Sequence, residues 1–79
     1  MKARVHVMLK PGVLDPQGEA VRYALGALGY NSVEGVRQGK VIELDLNETD
    51  PEKAKSDVDA MCQKLLANTV IESYSVEFL

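Results

Sequence analysis

Two Asp-Pro pairs, Asp15-Pro16 and Asp50-Pro51, constrain the fold of this chain more than any other feature. Aspartate accepts hydrogen bonds from the free amides of a first helical turn, and proline suits the first helical position, where its missing N–H costs nothing. Each pair therefore predicts a helix start. After the first, Val21, Leu25 and Leu28 recur at i, i+4 and i+7, with Ala20, Ala24 and Ala27 beside them and Glu19 and Arg22 away from the stripe. Gly26 weakens this helix, and Gly29 is placed to end it in a left-handed cap. After the second, Ala54, Val58, Met61 and Leu65 form a stripe widened by Cys62 and Leu66, with Asn68 as a stop. Thr49 with Glu52 offers a competing capping box at this second start, and both caps stay open.

Strands surround the helices. Residues 2–10 alternate, with Ala3, Val5, Val7 and Leu9 on one side and Lys2, Arg4, His6, Met8 and Lys10 on the other. Pro11-Gly12 breaks the run. Residues 31–37 are a weaker strand candidate with Gly35 as a bulge, and Gln38-Gly39 is read as a tight hairpin turn. Lys40 to Leu46 alternates with Ile42, Leu44 and Leu46 inward, and Val70 to Leu79 puts Val70, Tyr74, Val76 and Phe78 on one face. The order is β-α-β-β-α-β, an α+β, ferredoxin-like arrangement. It predicts a four-stranded antiparallel sheet, ordered 4-1-3-2, with two helices on one face. The other face would carry Arg4, His6, Met8, Val41, Glu43, Ile71 and Ser73. Met8, Val41 and Ile71 are more apolar than a solvated face requires. His6, Met8, Val41, Glu43 and Ile71 are therefore the candidate dimer face.

At 79 residues the chain is expected to form one domain, residues 1–79. A chain this short buries only about 60% of the surface its unfolded state exposes. Small domains gain stability from disulfides, metals or association. One cysteine, Cys62, excludes an internal disulfide and fits a reducing cytosol, and Cys62 with the single His6 makes no metal-ligand pattern. Association remains, so an oligomer is expected. Nine basic against twelve acidic side chains leave a net charge of −3 with no basic cluster, which argues against nucleic acid. The apolar run at Val5–Leu9 is too short for a signal peptide, and nothing approaches the roughly 20 apolar residues of a membrane span. A cytoplasmic location is expected.

A search for chemistry finds no nucleophile–base pair. His6 lies mid-strand without a positioned partner, and Cys62 lies on an apolar helical stripe, far from a helix N-terminus that would activate it. Cys62 reads as a small buried hydrophobe. No catalytic, cofactor-binding or metal-binding residue is assigned. The loop from Lys10 to Gly18 leads into a helix N-terminus, but Asp15 itself occupies that positive end and no phosphate-binding glycine pattern is present. Its apolar pair Val13-Leu14 is better explained by packing. Lys10, Gly12, Val13, Leu14 and Gln17 form the candidate partner-contact loop.

Three segments together carry a resemblance. Gly12-Val13-Leu14-Asp15-Pro16-Gln17-Gly18, followed by Ala20-Val21 and Ala24-Leu25, resembles the first loop and helix of the PurS family. So does Val36-Arg37-Gln38-Gly39-Lys40 leading into Ile42-Glu43-Leu44, and so does the run from Met61 to Tyr74. The segments occur in the family's order and span nearly the whole chain. The resemblance implies the small, non-catalytic subunit of phosphoribosylformylglycinamidine (FGAM) synthase, in the fourth step of purine synthesis. In that family a large subunit, PurL, forms the amidine, a glutaminase subunit, PurQ, releases ammonia, and PurS joins them as a dimer. The complex uses ATP, Mg and glutamine, and the resemblance implies that this chain binds no cofactor itself. The rival reading is an ACT-like regulatory module, which shares the element order and binds a small molecule near the first loop. An RNA-binding module of this fold would need stacked aromatics on the outward strand positions, which are missing.

Overall fold

The computed structural model describes residues 1–79. Strand β1 (Lys2–Leu9) leads through a turn at Pro11–Gly12 into helix α1 (Pro16–Ala27). Strand β2 (Gly39–Asp45), helix α2 (Pro51–Met61) with a π-helical extension (Cys62–Leu66), and strand β3 (Glu72–Phe78) complete the chain. The sheet is antiparallel in the order β2-β1-β3. Val5 stands opposite Ile42 and Val76, and Arg4 opposite Glu43 and Glu77.

Both Asp-Pro pairs open helices. The Asp15 carboxylate accepts from the Gly18 amide at 2.9 Å, and the Asp50 carboxylate from the Glu52 amide at 3.0 Å. Asp50, not Thr49, is thus the second cap. Gly29, at φ +101, supplies the left-handed residue just beyond α1. Asn68 follows the π-helical turn, and its side-chain oxygen accepts from the Val70 amide at 3.2 Å. That turn holds residues 69–71 out of the sheet, so β3 begins at Glu72 and Val70 is 80% exposed rather than on the inner face.

The core is small. Ala3, Val5 and Val7 of β1 pack with Val58, Cys62 and Ala67 from the helix side, and Ile42, Leu44, Leu46, Leu66, Tyr74 and Val76 close around them half-buried. Alternation in β1 produces this directly, since every second side chain points at α2.

Two larger expectations also fail. The sheet has three strands, not four: residues 31–37 form no strand, and Gln38-Gly39 is no hairpin turn. The Gln38 amide instead donates to the second oxygen of Asp15 at 2.8 Å. The carbonyl of Val36 lies so close over Gly18 that any side chain there would collide with it. Held against the start of α1, this segment cannot pair with β2. The second failure concerns α1, because only α2 covers the sheet. Gly18 is the one buried residue of α1, none of its side chains joins the core, Val21 is 40% exposed and Leu28 74% exposed. Helix α1 and the returning segment to Gln38 therefore form an arm. The radius of gyration is 16.0 Å, against about 12 Å for a compact chain of this length.

Candidate interaction surfaces

The loop after β1 is anchored at both ends. The Lys10 amide donates to the Ile71 carbonyl and the Lys10 ammonium to the Thr69 carbonyl, each at 2.8 Å, tying the loop to the turn before β3. The Val13 amide donates back to the Lys10 carbonyl at 3.2 Å across Gly12, whose φ is +87. At the far end, Asp15 holds Gly18 and Gln38 together, and the Arg37 guanidinium donates to the Leu9 carbonyl. Hydrogen bonds from the Gln38 and Gly18 amides hold the Asp15 carboxyl below the usual aspartate range. Between these anchors Val13 is half-buried, while Leu14 is 76% exposed and Gln17 is exposed. The loop is anchored at both ends and turns one apolar side chain, Leu14, outward.

The sheet face away from α2 carries a cross-strand ion ladder. The Arg4 guanidinium donates to Glu43 at 2.8 and 3.1 Å and reaches Glu77 at 3.5 Å. His6 Nε2 lies 3.2 Å from the same Glu77 oxygen, and Lys2 lies 3.9 Å from Asp45. The Arg4 contact lowers the Glu43 carboxyl, and the Glu43 contact raises the Arg4 guanidinium. Met8 and Val41 share this face, Val41 opposite His6, and Ile71 lies at its edge in the turn beside Lys10. The structure thus brings His6, Met8, Val41 and Glu43 together, with the charges already partnered inside the chain.

Sequence reasoning missed the contact between α2 and β3. The Tyr74 hydroxyl donates to Asp59 at 2.6 Å, and Gln63 reaches both. The spacing of Asp59 and Gln63, one helical turn apart, was the available signal. This contact raises the Tyr74 hydroxyl pKa, chiefly through the bond to Asp59. It also ties α2 to β3. Cys62 is fully buried, and burial pushes its thiol up, so it is no ready nucleophile. No three His, Cys, Asp or Glu side chains converge as a metal cage would need. No helix is long and apolar enough to cross a membrane.

Comparisons with known proteins identify the family. The family model described as PurS, phosphoribosylformylglycinamidine (FGAM) synthase, matches residues 2–79. The chain belongs to the PurS family. A PurS subunit from Synechocystis is 53% identical over 94% of this chain and 74% of its own length. The solved PurS from Bacillus subtilis superposes with a TM-score of 0.86 at 51% identity, covering 96% of this chain and 94% of that one. A chain in the Thermotoga maritima PurLQS structure superposes at 0.88 with 35% identity, covering 99% and 95%. PurS membership also sets aside the ACT-like reading.

Proposed function

We propose that this chain is the small, non-catalytic subunit of an FGAM synthase, joining the large synthase subunit to the glutaminase subunit. The Thermotoga PurLQS likeness carries this reading, because a chain of nearly the same length and fold stands inside that assembly. ATP, Mg and glutamine are used by the other subunits, and this chain binds none of them. The loop of Lys10, Gly12, Val13, Leu14 and Gln17 meets one of the catalytic subunits, and the chain works as a homodimer.

Reconstitution tests the proposal. Glutamine-dependent amidine formation by the large and glutaminase subunits should need this chain, which alone should turn over neither glutamine nor ATP. Replacing Val13-Leu14 by Gly-Ser should leave the urea midpoint near the parent value and lower the reconstituted rate. Full glutamine-dependent activity from the two large chains alone would overturn the reading.

A further inference from the structure

The hydrogen-bond phase of the sheet leaves the edge of β3 open. The Lys10 amide donates to the Ile71 carbonyl and the Leu79 amide to the Lys2 carbonyl. With the register between them, these bonds make Ser73, Ser75 and Glu77 the residues that bond to β1. The backbone amides and carbonyls of Tyr74, Val76 and Phe78 therefore point away from the sheet, where β3 is an outermost strand. Such edges are ordinarily blunted by lysine, proline or a bulge. Strand β3 contains no Lys, Pro or Gly, and it pairs with β1 through seven consecutive residues. Its only charges are the carboxylates of Glu72 and Glu77.

A groove runs along this edge beside α2. The Tyr74–Asp59 bond holds helix and strand together. Glu52, Lys55, Ser56 and Asp59 line the helix side, and Val76 and Phe78 the strand side. Phe78 is 39% exposed there. Glu52 and Asp59 stand against a single ammonium, Lys55, and neither carboxylate is ion-paired within the chain. A strand added at β3 would place alternate side chains in this groove. Arginine or lysine suits those positions, its stem lying on Val76 and Phe78 and its charged head reaching Glu52 or Asp59. A second copy of β3 carries no cation to offer the groove.

We propose that the outer edge of β3 takes an extended strand of one of the catalytic subunits, with basic side chains at alternate positions seated in the groove beside α2. This strand addition rests on the subunit reading above and names how one of its contacts is made.

Amide hydrogen exchange on the chain, free and in the reconstituted complex, tests it. Exchange at Tyr74, Val76 and Phe78 should slow by about tenfold or more on assembly, whereas the Ser73, Ser75 and Glu77 amides are protected by β1 from the start. Glu52→Lys should weaken binding to the catalytic subunits by about tenfold or more with its urea midpoint near the parent value, and Lys55→Glu should tighten it. Val76→Pro, which removes an outward donor and no bond to β1, should also weaken assembly. Unchanged exchange at Tyr74, Val76 and Phe78, in a complex whose amidine synthesis needs the chain, would overturn strand addition and leave the subunit reading standing. Amidine synthesis without the chain would overturn both. Slow exchange at these amides in the free chain, rising with its concentration, would give the edge to a second copy and overturn the proposal. So would a Glu52→Lys variant that binds as tightly as the parent.

Discussion

Asp15 does two jobs with one carboxylate. One oxygen caps α1 through Gly18, and the other holds the Gln38 amide at the end of the arm. Both bonds favour the ionised form, so its folded pKa lies below the unfolded value of about 3.9. A depressed acid contributes stability that is present above the unfolded pKa and lost as pH falls through the folded one. The arm should therefore loosen only in acid, below about pH 4. In an NMR titration the Gly18 and Gln38 amides should shift together with a single midpoint below that of free aspartate. Asp15→Asn should remove that shared transition and leave the titration of Glu43 with Arg4 in place. Independent midpoints for the two amides would show that one carboxylate does not couple them.

The two helices share a start signal and differ in what they bury. Helix α2 places Ala54 and Val58 in the core, and Val58 is fully buried against β1. Val58→Ala should cost about 2 kcal/mol, the loss of two buried methyl groups with partial collapse of the site. On α1, Val21→Ala removes the same atoms from a side chain that is 40% exposed and outside the core. Its cost should be near zero at high dilution and should rise with protein concentration as association makes the site buried. Urea titrations of both variants at two concentrations decide the matter. An equal, concentration-independent cost would mean that α1 packs within its own chain.

At the scale of the molecule, a three-stranded sheet backed by one helix is a marginal core. Only 8 of 79 residues are buried, so the single chain is marginal and association would add to its stability. For a dimer that unfolds to two chains, each tenfold rise in concentration should add about 1.4 kcal/mol per mole of dimer. The thermal midpoint should climb accordingly. A midpoint independent of concentration from micromolar to millimolar chain would count against assembly as the source of stability.

The sequence by itself determined most of the elements whose information is local. Asp15-Pro16 and Asp50-Pro51 set both helix starts, Gly29 sets one helix end, and alternation sets the inner face of β1, because caps and side-chain period act within a few residues. The loop of Lys10 to Gln17 was legible for the same reason, as an apolar pair in a turn. The tertiary structure alone decided whether residues 31–37 would join the sheet and where α1 would lie. Their strand-like composition was overruled by hydrogen bonds from far along the chain, the Asp15 carboxylate taking the Gln38 amide before β2 could pair. The apolar stripe of α1 announced that this helix must bury a face. It carried no information on whether its own sheet would receive it, and the hydrogen bonds at the roots of the arm hold it away from that sheet.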